Sequence, residues 1–223
     1  MPGAEQRTFD LGALGVVRIV GTLGEGGRSI VYRAEWEGRL VAFKVYKRRA
    51  VERHARRHRL GIAEFEYSRN LAFYRAPGLA RYVTQPLGHL DSPRVSAILQ
   101  EALDGELYYF HFRERRGKIA PELFGHVQRM VELAHAAGLY DLDLHAMNVM
   151  VVREGDETIP KLFDFNLRPT HEFPRNPLDA LLLRTGIKSP RSRDLRKLRR
   201  FHDFRRVEKK LVRYYPNRTR PEA

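Results

Sequence analysis

The sequence predicts an α+β chain in two parts, a small β-rich first part and a mainly helical second part. Three observations carry this. Residues 16–46 hold strand-forming runs on either side of a glycine turn. Residues 121–138 place apolar side chains at helical spacing between a proline start and a glycine stop. Residues 148–165 alternate an apolar run, a polar turn and a second apolar run, the pattern of a hairpin. With 223 residues, 43% of them hydrophobic, the chain can bury a full core. It carries no internal repeat and no low-complexity linker. The polar residues 1–8 are expected to be loose, 9–103 to form the first part and 104–223 the second.

The elements follow in order. Val16, Val17, Ile19, Val20 and Leu23 lead into LGEGGRS, and Ile30, Val31 and Tyr32 lead out. This is strand, glycine turn, strand, not the strand-then-helix of a dinucleotide site. Gly24, Gly26 and Gly27 let backbone approach a phosphate with no Cβ in the way, although an ordinary hairpin has the same local sequence. RLVAFKVY (39–46) is a strand that carries Lys44, with the small Ala42 two positions earlier leaving room for a flat ring. AEFEYSRNLAFY (63–74) reads as a helix with Glu64, Tyr67, Leu71 and Tyr74 on one face. SAILQEALDGEL (96–107) reads as a core strand that ends at an Asp-Gly turn.

Helix 121–138 has Pro121 at its first position, Glu122 in its first turn and Gly138 at its C-cap. Leu123, Val127, Met130, Val131 and Ala134 form its apolar stripe, and His126 and His135 read as packing or surface residues. DLDLHAMN (141–148) follows, and the hairpin of 148–152 and 159–165 carries Asn148 and Asp164 back to one place. Asp143 can accept or orient a hydroxyl proton. Asn148 and Asp164 offer oxygen ligands for Mg²⁺, which prefers a few carboxylate or carbonyl oxygens plus phosphate oxygens. An Asp-Leu-x-x-x-Asn segment, a hairpin, then Asp-Phe resembles the motif set of kinase-type phosphotransferases.

Taken together, the glycine turn, the lysine about twenty residues beyond it, the glutamate helix, Asp143–Asn148 and Asp164 resemble the protein-kinase-like superfamily over about residues 16–170. The resemblance implies a bilobal α+β fold with a small β-rich N-lobe and a truncated, mainly helical C-lobe. It implies ATP and Mg as cofactors. Gly24, Gly26, Gly27, Ser29 in the third glycine position, Val31, Ala42, Lys44, Glu101 and Leu103 would surround the nucleotide. Gln100 would line the back of the adenine pocket, with Glu101, Ala102 and Leu103 as the hinge. Glu64 would pair with Lys44, with Glu66 as the alternative. Asp143 would be the catalytic carboxylate, and Asn148 and Asp164 would hold the metal.

Three positions depart from the eukaryotic protein-kinase pattern. Asp141 stands for a histidine, His145 for a lysine and Asn166 for a glycine. Asp-x-His-x-x-Asn is the style of aminoglycoside and other small-molecule kinases. The chain is also similar to two bacterial groups, the lipopolysaccharide-core (Kdo or heptose) sugar kinases and the YrbL-like, PhoP-regulated proteins. The matching stretches are AEFEYSRNL (63–71), DFNLRP (164–169) and RDLRKLRRFHDFRR (193–206). The function implied is phosphorylation of a sugar hydroxyl on a membrane-associated anionic glycolipid. The alternatives are a regulatory pseudokinase and a short, atypical Ser/Thr kinase.

Composition sets further expectations. The net charge is +14, and residues 168–223 hold 17 Lys and Arg against 6 Asp and Glu. Leu195, Leu198, Phe201, Phe204, Val207 and Leu211 recur at helical spacing among those cations, as in a basic amphipathic helix. A second basic stretch lies at 47–59. Such surfaces suit an anionic membrane or glycolipid. No aromatic-rich module for stacking bases accompanies them, which argues against nucleic acid. Cysteine is absent, excluding a disulfide framework and thiolate metal sites. Neither an apolar run near the ~18 residues of a membrane span nor a secretory signal is present. The expected location is the cytoplasm or the cytosolic face of the inner membrane. No feature specifies an oligomer.

Overall fold

Strand-forming runs at 8–46 and 86–101 build one antiparallel sheet. The computed structural model describes residues 8–115, 121–174 and 176–203, and these divide into two units. The first runs through Tyr74 and includes Thr84–Leu103, and the second comprises Arg75–Val83 and the chain from Asp104.

The first unit contains β1 (Thr8–Asp10), β2 (Val16–Glu25), β3 (Ser29–Trp36), β4 (Arg39–Tyr46), α1 (Arg48–Ala55), α2 (Ile62–Arg75), β5 (Pro86–Asp91) and β6 (Ser96–Glu101). The sheet order is β1-β2-β3-β4-β6-β5. Side chains alternate between its faces, as the two-residue period requires. One face packs Val17, Ala34, Trp36, Val41, Phe43, Ala97 and Leu99 into a core. The other sets Tyr46 and Ile98 against Ile62 and Ala63 of α2. The basic stretch at 47–59 forms α1, which buries none of its residues. His54 stacks on His58 with ring centroids 4.1 Å apart, and both lie against Phe65, so they act as packing residues. Of the segment expected to be loose, Thr8 already pairs with Arg18 in β1; the rest lies outside the described residues.

The second unit contains β7 (Gly105–Leu107), α3 (Tyr108–Glu114), α4 (Pro121–Ala136), β8 (Val149–Glu154), β9 (Glu157–Leu162), α5 (Pro177–Arg184) and α6 (Ser192–Arg199). Its sheet runs β7-β8-β9. The predicted stripe of α4, Leu123, Val127, Met130, Val131 and Ala134, is buried, and His135 is buried with it. Arg81 ties the β8–β9 hairpin to a 3-10 turn by hydrogen bonds to Glu154, at 2.9 Å, and to Glu157.

Two expectations are corrected. Of the Asp-Gly turn read at 104–105, Gly105 already belongs to the strand β7, paired with β8. The basic amphipathic helix does not run from Leu195 through Phe201. It stops at Arg199, and the chain turns so that Phe201 is buried against Tyr108 and Phe124. Within α6, Leu195 is 41% exposed while Asp194 is fully buried. Asp194 faces inward because backbone N–H groups of the chain await it there. Phe204, Val207 and Leu211 lie outside the described residues.

Candidate functional site

In the first unit the register of the sheet gathers the predicted nucleotide residues. Gly24 pairs with Val31, Val31 with Lys44, and Ala42 with Gln100. Opposed residues share a face, and so do residues two apart. Val31, Ala42, Lys44 and Gln100 therefore line one face, opposite the Val41–Phe43 core. The turn beyond β2 closes with Gly26 N–H donating to Ser29 C=O at 2.9 Å. A Cβ on Gly26 would come no closer than 3.9 Å to the described chain, and one on Gly27 would meet nothing within 4 Å. Neither has a positive φ. Backbone geometry thus does not demand glycine here, and the bare turn suits the close approach of a phosphate.

Lys44 is 7% exposed and its Nζ donates to Glu66 Oε1 at 2.6 Å. Glu66 is fully buried, and its Oε2 accepts from Tyr46. Glu66, not Glu64, is therefore the partner of Lys44. The reason is the rotation of α2. Its buried face is Ile62, Ala63, Phe65, Glu66, Asn70 and Phe73, one position round from the stripe Glu64–Tyr67–Leu71–Tyr74. Two polar residues on the buried face hid it from hydrophobic periodicity. Glu64 instead sits in the first turn, where its N–H and that of Ala63 donate to the Asp91 carboxylate at 2.8 and 3.4 Å. A buried ion pair is weak as a source of stability, because desolvation offsets the attraction.

Glu101, expected at the hinge, already uses its backbone internally. Its N–H donates to Gln85 C=O at 2.9 Å, and its C=O accepts from Thr84 Oγ1 at 3.3 Å. Ala102 and Leu103 follow outside regular structure and are half-buried.

In the second unit, α4 ends with Gly138 at φ 73° and the segment 141–148 leads into β8. Asp141 and Asp143 both adopt left-handed backbone, with φ 61° and 50°. That conformation costs about 1 kcal/mol or more for a residue with a Cβ and needs support from its surroundings. Asp194 supplies it. Its carboxylate accepts from the N–H of Asp141 at 2.7 Å, the N–H of Leu142 at 3.0 Å and His135 Nε2 at 3.2 Å. Asp141 in turn accepts from Thr170 N–H at 2.6 Å, Thr170 Oγ1 at 2.9 Å and Arg193 at 3.1 Å.

Asn148 Nδ2 donates to the Asp143 carbonyl at 3.1 Å, which turns its amide Oδ1 to the other side. Its own carbonyl accepts from Phe163 N–H at 3.2 Å, which brings Asp164 beside it. An amide oxygen and a carboxylate are hard donors of the kind Mg²⁺ takes. Asn166 Nδ2 donates to Asp164 Oδ1 at 2.6 Å, so the residue standing for glycine fastens this carboxylate. Asp143 Oδ1 accepts from Lys197 Nζ at 2.5 Å. Burial pushes the Asp143 carboxyl up, but Lys197, as charge and as hydrogen-bond donor, outweighs this together with His145 and Arg193. The carboxyl ends below its ordinary value.

Sequence reasoning missed Tyr46, Asp91, Arg193, Asp194 and Lys197 as parts of these sites. One signal was present: Asp194 is the one acidic residue between Asp179 and Asp203 in a run of cations.

The sequence matches no protein-family model and no curated protein. Solved structures do match. The kinase domain of Mycobacterium tuberculosis PknI superimposes with a TM-score of 0.51 at 20% identity, covering 74% of this chain and 64% of that one. A singly substituted form of the same domain gives 0.54 at 19% identity, covering 75% and 64%. The fold is protein-kinase-like. The curled antiparallel sheet with α2, followed by a mainly helical part, is the α+β kinase arrangement expected from the sequence. The chain spans less than two thirds of the length of those kinase domains.

Proposed function

We propose that the chain is an ATP- and Mg²⁺-dependent phosphotransferase with an alcohol group as acceptor. The observation that carries this reading is the convergence of Asp143, Asn148 and Asp164, with Asn148 bonded both to the Asp143 carbonyl and to the backbone beside Asp164. The kinase-like fold and the buried Lys44–Glu66 pair support it. Lys44, set by Glu66, holds nucleotide phosphates beneath the turn of Gly24–Ser29. Val31 and Ala42 flank the base, with Gln100 at the back of its pocket and Leu103 at the hinge. Asn148 and Asp164 hold Mg²⁺, which neutralises phosphate charge when bound. Asp143 orients the acceptor hydroxyl and takes its proton as the new O–P bond forms and the bond to ADP breaks.

The finer reading makes the acceptor a sugar hydroxyl of an anionic glycolipid such as lipopolysaccharide core, at a membrane surface. Its support is the resemblance of 63–71, 164–169 and 193–206 to the core-sugar kinases and the basic balance of 168–223. No helix among the described residues is long and apolar enough to cross a membrane. A regulatory, non-catalytic reading draws on one observation, the bond from Asn166 to the Asp164 carboxylate.

The test is ATP turnover with Mg²⁺ for wild type and D164A, with and without anionic glycolipid extract. Glycolipid-stimulated turnover that vanishes in D164A supports the enzyme and its acceptor class. Nucleotide binding without turnover on any acceptor favours the regulatory reading, and absence of nucleotide binding defeats the phosphotransferase reading.

A further inference from the structure

The segment around Asp143 carries a histidine, His145, where the related protein-kinase motif has a lysine, so the loop itself brings no fixed cation to its carboxylate. Helix α6 brings one from 54 residues away. Lys197 Nζ lies on Asp143 Oδ1, with the two side chains 24% and 21% exposed. Three side chains of α6 engage the same short segment. Arg193 binds the Asp141 carboxylate, Asp194 binds the backbone N–H of Asp141 and Leu142, and Lys197 binds the Asp143 carboxylate. Residues 193, 194 and 197 lie within one turn, and 193 and 197 are stacked at i, i+4. Backbone and side chain of 141–143 are therefore held from a single helix.

The hydrogen bonds of Asp143 are unevenly divided. Oδ1 accepts from Lys197, whereas Oδ2 accepts none among the described residues. We infer that Lys197 is the positioning residue of Asp143: its ammonium holds Oδ1 so that Oδ2 is the oxygen presented to the acceptor hydroxyl. The inference rests on the phosphotransferase reading above. In the transfer step the acceptor O–H proton passes to Oδ2, the acceptor oxygen bonds to phosphorus, and the phosphorus–oxygen bond to ADP breaks with its electron pair leaving on ADP. Lys197 acts through the carboxylate and makes no bond to the transferred group. A preorganised carboxylate avoids reorientation during transfer, which is where such an interaction contributes.

The test reads the transition state without needing the natural acceptor. MgADP affinity is measured by calorimetry with and without aluminium fluoride, which with ADP mimics the transferring phosphoryl group and its in-line oxygen. Wild type, K197M, K197R, D143N and the K197M/D143N double variant are compared, with thermal melts as a control on folding. In all of them Asp194 and Arg193 still tie the segment through backbone and Asp141. The expected result is that fluoride tightens MgADP in the wild type by about 100-fold. K197M should lose tenfold or more of that tightening while binding MgADP alone as before, and K197R should retain most of it. The double variant should lose no more than the worse single one, because both changes remove one coupled function. Equal tightening in K197M and wild type would overturn the inference and leave the phosphotransferase reading intact. Additive losses would overturn it too, as would a K197R that behaves like K197M. A wild type that does not bind MgADP would remove the reading and the inference together.

Discussion

At position 66 a fully buried carboxylate has one oxygen on Lys44 and the other on Tyr46. Removing one partner of such a pair leaves an uncompensated charge. E66A is expected to cost about 3–5 kcal/mol in urea unfolding. E64A, which alters only a first-turn charge, is expected to cost less than about 1 kcal/mol. Equal costs would contradict the pairing. The same helix face buries Asn70, whose amide nitrogen and oxygen find no hydrogen-bond partner among the described residues. An unsatisfied buried amide costs about 1–3 kcal/mol, so N70L, similar in volume and apolar, is expected to stabilise by about that much. A lower denaturation midpoint for N70L would mean that the amide is satisfied in solution. These two residues also explain why the partner of Lys44 was not legible in the sequence. An apolar stripe reports which face is buried only when the buried residues are apolar, and Glu66 and Asn70 are not.

Among the elements, α2 is capped from a distance. Asp91, at the end of β5, accepts the N–H groups of Ala63 and Glu64. It comes so close that a Cβ on Gly61 would sit 2.0 Å from its Oδ2. D91A and G61A are each expected to cost about 1 kcal/mol, the usual worth of an N-cap. Their effects should not add, since both act by losing the same cap; full additivity in a double variant would refute this account. Beyond α6 the chain turns, and His202 lies among Tyr108, Phe112 and Phe124, with its Nε2 3.0 Å from the Tyr108 hydroxyl. Burial pushes its imidazole down. The unfolded chain then takes up the proton first, so the contribution is at its full value above about pH 6.5. It falls as the pH drops from there toward the lower pKa of the folded state. Replacing the imidazole with a non-titrating ring, H202F, should flatten this part of the stability–pH curve. An unchanged slope would show that His202 does not titrate differently on folding.

For the whole molecule, the net charge of +14, with most of the excess in residues 168–223, makes the proposed anionic surface testable. Vesicles containing phosphatidylglycerol should retain the protein at low salt and release it as salt rises, because exposed charges are screened beyond a Debye length of about 8 Å at physiological ionic strength. Binding that ignores salt, or favours neutral vesicles equally, would remove the membrane from the proposed function. The strand–turn–strand around Gly26, the strand bearing Lys44, helix α4 and the β8–β9 hairpin were determined by the sequence itself. Each rests on β-propensity, helical period or end signals that act within about ten residues. So was the return of Asn148 and Asp164 to one place, because a short hairpin leaves its ends no other choice. Tertiary structure alone decided that Glu66 rather than Glu64 meets Lys44, since the rotation of α2 answers to what packs on it. It alone decided that a helix which reads as basic and amphipathic turns Asp194 and Lys197 onto Asp141–Asp143, more than 50 residues away. Those contacts join a carboxylate to distant backbone and an ammonium to a distant carboxylate, and no local periodicity encodes a partner so far along the chain.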